Sequence, residues 1–198
     1  MIKTHMQLIQ ELDEYSSPKA KITRMIKNNE IIQLKRGIFL DKDDRNYSLF
    51  SLSSLIYGPS YVSFQSAMSH YGLIPERTPS VTCASFSKNK NKSIETSIGN
   101  FYYFYIPTKV YPYDTMIREE NNQNYIIASP EKSLSDMLYK VRDIDNINQI
   151  EGLLLEDWRI EIEDLKNLNP VSLNFLLPLY ERKICNLFLD WLKRNIYA

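Results

Sequence analysis

A chain of 198 residues, 43% of them apolar, is long enough for one large or two small domains and rich enough in core-formers to exclude wholesale disorder. No run of about 18 apolar residues exists, so no membrane span is expected, and Met1-Ile2-Lys3-Thr4-His5 does not open a signal-peptide core; the expected location is the cytoplasm. The net charge of zero hides an asymmetry: residues 1–42 hold eight basic against five acidic residues, and within 19–42 seven basic residues face only Glu30 and Asp41, the footprint of an element that binds a polyanion.

Ile2, Met6 and Ile9 recur at i, i+4 and i+7, with Leu8 and Leu12 beside them, and predict an amphipathic helix over 3–15. Ser16-Ser17-Pro18 ends it. Ser17 is the expected cap of a second helix, and Pro18 its first residue, where a missing N–H costs nothing. That helix, 18–29, gathers Ile22, Met25 and Ile26 in one sector. Ala20, Thr23, Arg24, Lys27 and Asn28 lie opposite, flanked by Lys19 and Lys21. The apolar stripe suits packing on the preceding helix. The other face offers Lys19, Lys21 and Lys27 to phosphates, and Thr23, Arg24 and Asn28 to base edges. Taken alone, such a face is more often simply solvated. Residues 30–40 change the balance, because they form two short apolar strands around Lys35-Arg36-Gly37. Gly37 supplies a positive φ for the turn, and Lys35 and Arg36 reach phosphates or a minor groove. Helix, turn, basic helix and basic-tipped hairpin come in the order of a minimal winged helix-turn-helix.

Residues 41–46 are polar and read as a linker. The expected division is a DNA-binding domain over 1–44 and an α+β domain with C-terminal helices over 45–198. A helix over 47–57 carries Leu49, Leu52 and Ile56 on one side and stops at Gly58-Pro59; another opens near Ser63, with Phe64, Ala67, Met68 and Tyr71 in register and Gly72 as its C-terminal cap. His70 has no second ligand at a metal spacing and reads as structural. Strands are expected at 81–86, 93–96, 101–106 and 125–128, with a polar loop at 88–92. The aromatic run 101–105 is expected to be a strand buried on one face rather than a base-stacking platform. Ser129-Pro130-Glu131 starts a helix whose buried stripe is Leu134, Met137, Leu138 and Val141. Glu131 and Asp136 lie five apart, on poorly aligned faces, and read as solvated charges rather than a metal pair. The final third is expected to be helical over 146–155 and 161–167, ending in one long helix that carries Ile184, Leu187, Phe188, Trp191 and Leu192 and is started or kinked by Pro178. Cys83 and Cys185 read as buried free thiols. The sequence shows no repeat, no glycine-rich phosphate loop, no Gly-x-Ser-x-Gly and no metal-ligand cluster, so no cofactor and no enzymatic activity are expected.

Three stretches read as a set: 21–39 with its Lys35-Arg36-Gly37 turn, 61–75 around Ser63-Phe64-Gln65, and 127–138 around Ser129-Pro130-Glu131-Lys132. In this order and spacing they resemble the AbiEi antitoxin family of transcriptional regulators over residues 5–140. Asn29 stands where that family often has Gly, and Asn tolerates the left-handed turn required there. The resemblance implies a winged helix that represses its own operon by binding double-stranded DNA at inverted repeats in the promoter. It also implies a second domain that opposes a nucleotidyltransferase-like toxin, in a type IV system where the two need not form a stable complex. No catalytic residues carry over. The alternatives are a nuclease targeted by the winged helix, and a protein-interaction adaptor that does not bind DNA.

Overall fold

Residues 2–87 and 89–197 are described by the computed structural model, which is mixed α and β; Lys88, in the polar loop expected at 88–92, lies outside them. The chain opens on a strand, not on the helix expected from residue 3. β1 (Ile2–Thr4) and β2 (Ile31–Lys35) both pair antiparallel with β3 (Ile38–Asp41), which lies between them. Thr4 sets the boundary with α1 (His5–Glu11). Its hydroxyl accepts from the Gln7 amide while the Gln7 side chain accepts from the Thr4 amide. This reciprocal cap starts the helix at His5 and releases residues 2–4 to cover the edge of β3. α1 ends at Glu11 rather than at 15, because turn hydrogen bonds such as Tyr15 N–H to Leu12 C=O take over. α2 (Pro18–Lys27) begins on Pro18 as expected, although Ser17 makes no side-chain cap.

β3 sorts its apolar side chains with the two-residue period of a strand. Phe39 joins a small core with Leu8, Ile22 and Ile31, lined by Ile9, Leu12, Met25 and Ile26. Leu40 is buried in the main core, and Ile38 packs against it. A bulge in β2 between Gln33 and Lys35 adds Leu34 to the main core as well. The small N-terminal sheet therefore carries α1 and α2 on one face and rests its other face on the remainder of the chain.

That remainder is built on a six-stranded mixed sheet in the order β6-β7-β5-β4-β9-β8. Its strands are β4 (Ser60–Val62), β5 (Val81–Ser85), β6 (Lys92–Thr96), β7 (Gly99–Tyr105), β8 (Thr115–Glu120) and β9 (Gln123–Ala128). β4 and β8 escape sequence reading for opposite reasons. β4 is three residues, all buried, with no alternation to detect; β8 is an edge strand whose Arg118, Glu119 and Glu120 face solvent. β7 buries Phe101 and Tyr103 completely while its other aromatics are only partly covered, as a one-sided strand requires. α3 (Leu49–Ile56) covers one face of the sheet, where the Tyr103 hydroxyl donates to Ser53 C=O at 2.7 Å. α4 (Phe64–His70) covers the other, with the Phe64 ring 5.1 Å from that of Phe104. Gly72, at φ +74°, closes α4 through Leu73 N–H to Met68 C=O and Gly72 N–H to Ser69 C=O.

α5 (Pro130–Lys140) comes directly after β9. The Ser129 hydroxyl accepts from Lys132 N–H at 3.0 Å and Pro130 occupies the first position. Ser129→Ala is expected to lower stability by about 1 kcal/mol, measured as a lower urea midpoint at constant m value; an unmoved midpoint would show that packing alone holds this helix start. The rest is α6 (Asn148–Glu151), a π-helical stretch Gly152–Asp157, α7 (Ile162–Lys166), α8 (Pro170–Leu179) and α9 (Lys183–Asn195). The single long C-terminal helix expected from the sequence is thus two. Pro178 lies in the last turn of α8, which ends one residue later, and Glu181 takes φ +52° before α9 begins. Both helices pack on α5. No helix among the described residues is long and apolar enough to cross a membrane.

Candidate nucleic-acid interface

α2 carries four cations and no acid, and its periodicity decides where they point. Ile22 is buried and Met25 and Ile26 are half-buried against the small core, so Lys19, Ala20, Thr23, Arg24, Lys27 and Asn28 are exposed. Lys21 is half-buried, with its ammonium 5.3 Å from the centre of the Tyr15 ring. The Thr23 hydroxyl donates to Lys19 C=O at 3.0 Å, and the Asn28 amide donates to Glu30 at 3.0 Å. Both are local bonds that an incoming acceptor can replace. Among the described residues, Lys19, Arg24, Lys27 and Arg36 have no carboxylate partner. A row of unneutralised cations along one helix face produces a positive potential that attracts phosphates.

The turn that leads from α2 into β2 uses Asn29 at φ +56°, with Glu30 N–H bonded to Met25 C=O at 2.9 Å and Asn29 N–H to Ile26 C=O at 3.0 Å. Asn here does the work of a terminating glycine. At the other end of β2, about 13 Å along the strand, Gly37 takes φ +84° and its carbonyl accepts from His5 N–H at 2.9 Å. Arg36 is exposed at this turn. Lys35 is used differently from the expectation: its ammonium donates to Ile56 C=O at 2.6 Å, at the C-terminal end of α3. A cation there complements the helix dipole and ties the hairpin to the larger part of the chain. The expected residues thus fall into three groups: the outward face of α2, the exposed Arg36, and Lys35 engaged within the protein.

Glu131 and Asp136, expected as solvated, are buried. The Glu131 carboxylate accepts from Asn169 N–H at 2.8 Å. Asp136 is the centre of an enclosed polar network. Its carboxylate accepts from the hydroxyls of Ser63 (2.6 Å), Tyr61 (3.0 Å) and Tyr180 (2.5 Å), and lies 3.1 Å from the Lys132 ammonium, which also donates to the Tyr180 oxygen at 2.7 Å. All five residues are 2% exposed or less. The cause is tertiary: α5 is covered by α4, α8 and α9, so its polar face has no route to water. Burial holds Lys132 below the usual lysine range, and the charge of Asp136 draws it back up. Burial, and then the Asp136 charge, push both Tyr61 and Tyr180 far above the usual phenol range. The i, i+4 spacing of Lys132 and Asp136 was the one local signal for this network; its other members come from β4, the residue after it, and the end of α8.

His70 is exposed on α4 and packs edge-on against Phe50, with ring centres 5.9 Å apart. Cys83 and Cys185 are buried free thiols, as expected. No group of three metal-ligating side chains occurs among the described residues. Comparison with protein-family models and with curated proteins finds no match to this chain.

Proposed function

We propose that the chain is a DNA-binding autorepressor and antitoxin of a type IV toxin–antitoxin system, in which α1, α2 and the β2–β3 hairpin act as a minimal winged helix-turn-helix. The observation that carries this reading is the exposed face of α2, with Lys19, Arg24 and Lys27 unneutralised beside Thr23 and Asn28. In this reading Arg24, Thr23 and Asn28 meet base edges in the major groove, Lys19, Lys21 and Lys27 hold phosphates, and Arg36 reaches along the backbone or into the minor groove. Lys35 anchors the hairpin on α3 in place of the phosphate contact its position suggests. The antitoxin half of the reading, with a nucleotidyltransferase-like toxin as the opposed partner, is supported by the resemblance of residues 5–140 to the AbiEi family.

The test is a gel-shift titration on the promoter upstream of the coding sequence at several salt concentrations. Changing Lys19, Arg24 and Lys27 together to alanine is expected to weaken binding and to flatten the dependence of log affinity on log salt by about one unit for each phosphate no longer neutralised. Equal affinity and an equal salt slope in parent and triple variant would sink the assignment of α2 as the DNA-reading helix.

A further inference from the structure

A second cationic site lies on the other part of the chain. Lys90 between β5 and β6, Tyr105 at the end of β7, Tyr139 and Lys140 at the end of α5, Arg142 just after it, and Arg182 ahead of α9 line a groove of about 280 Å³. None of its lining residues is acidic, and none of the four cations has a carboxylate partner among the described residues. Acids do line the adjoining groove: Asp143, Asp145 and Glu181. Asp145 is paired with Lys183 and Glu181 with Lys109; Asp143 lies in the adjoining groove, which Arg142 and Arg182 border as well.

Lys140 is the anomaly. It is half-buried, its ammonium lies 4.5 Å from the centre of the Phe104 ring, and it makes no hydrogen bond to any oxygen among the described residues. Burial, and then the charge of Arg142, hold it below the usual lysine range. Like charges gathered without a counter-charge destabilise a fold, and such sites cluster where a ligand supplies the missing charge. Arg182 is pre-positioned in the same groove: one guanidinium nitrogen donates to Val141 C=O at 3.1 Å, and the group lies 5.8 Å from the centre of the Tyr139 ring, which leaves further N–H donors in a fixed plane. Asn91 accepts from Tyr105 N–H at 3.1 Å and so braces the loop that carries Lys90.

We propose that this groove binds a phosphate-bearing ligand the size of a single nucleotide. The two guanidinium groups and two ammonium groups match phosphate oxygens, to which arginine binds in a bidentate fork. Tyr105 gives the same groove an aromatic surface against which a base stacks, while the Tyr139 ring is taken up by Arg182 and by Tyr180, whose ring centre lies 5.6 Å away. The volume stands near the lower limit of ligand pockets, roughly 300 Å³, and suits one nucleotide unit rather than a duplex.

Calorimetric titration of the full chain at low salt with adenosine diphosphate tests this, with adenosine, inorganic pyrophosphate and a five-nucleotide single-stranded thymidine oligomer as the other probes. Adenosine diphosphate is expected to bind saturably, with both adenosine and pyrophosphate at least about tenfold weaker. Arg142→Gln, at an exposed position, is expected to reduce adenosine diphosphate affinity at least about tenfold. Lys140→Met is expected to do the same while keeping or raising the melting temperature, because it removes a repelled cation; loss of binding in a protein at least as stable cannot be attributed to misfolding. Arg24→Ala on α2 should leave this binding unchanged, which separates the groove from the proposed DNA interface. The proposal is overturned if adenosine diphosphate fails to saturate by roughly 5 mM, if either groove variant binds it like the parent, if pyrophosphate binds equally well, or if only the oligomer binds.

Discussion

Asp136→Ala is expected to destabilise the protein by about 3–5 kcal/mol, the largest effect of any single substitution proposed for this chain. The carboxylate receives three hydroxyl donors and faces one ammonium, all within a network that is 2% exposed or less. Removing it leaves the Lys132 cation fully buried. Its remaining close contacts are the Tyr180 oxygen and the rings of Tyr61 and Tyr180, whose centres lie 5.9 and 4.9 Å away, with the Asp114 charge acting from farther off. A total stability of about 5–15 kcal/mol is usual for a domain, so a loss of this size takes the protein close to unfolding. Lys132→Met removes the other half of the pair and is expected to cost less, about 1–3 kcal/mol. The carboxylate then keeps three hydroxyl donors, whereas the orphaned ammonium keeps one phenol oxygen and no carboxylate in ion-pair contact. Urea unfolding of both variants gives the order directly. If Asp136→Ala costs no more than Lys132→Met, the network is not organised around the carboxylate.

Raising the pH from 8 to 10 is expected to remove about 3 kcal/mol of stability through the two buried thiols. Burial pushes Cys83 and Cys185 from an ordinary value of 9.0 up to about 12. The native chain then holds two protons that the unfolded chain releases as the pH passes 9, so their contribution is complete below pH 9 and is lost progressively up to about 12. Tyr111, also pushed up to about 12, adds to the loss above pH 10. Burial raises Tyr61, Tyr103 and Tyr180 as well, with the same sign. Lys132 opposes the trend. Its depressed value means that the unfolded chain binds the extra proton, so stability rises with pH between the native and the unfolded lysine values. Lys140, held down by burial, acts in the same sense as Lys132, and burial raises Tyr71, Tyr125 and Tyr197 too; two lysines thus act against two thiols and seven phenols, and the net slope is downward. Urea midpoints at pH 8 and pH 10 measure it. Cys83→Ala and Cys185→Ala each displace the whole curve by the cost of the cavity, and each is expected to remove about half of the fall due to the thiols. An identical fall in the double variant would rule out the thiols as its source.

Local chemistry was legible where one or two neighbouring residues decide the outcome. Ser129 and Pro130 start α5, Gly72 closes α4, and Gly37 turns the hairpin, each through backbone dihedrals or a hydrogen bond spanning at most five residues. The outward face of α2 was legible because Ile22, Met25 and Ile26 recur with the helical period, which leaves Arg24 and Lys27 no inward option. The start of the chain misled for the same reason. Ile2, Met6 and Ile9 have helical spacing, yet Ile2 pairs with Leu40 in a strand, and Met6 is 74% exposed. The spacing was accidental on one side of the Thr4 cap and real on the other.

The exposed cationic helix and the short basic turn were therefore determined by the sequence itself, since periodicity and a glycine act within a few residues. The fates of Lys35, Asp136 and Lys140 were decided only by tertiary structure. Lys35 finds its acceptor 21 residues away on α3, Asp136 is enclosed by strands and helices 44 to 75 residues distant, and Lys140 shares a groove with Arg182 because the α8–α9 turn packs beside the end of α5. A charge is solvated or buried according to what covers it, and the covering elements come from parts of the chain that no local spacing can reach.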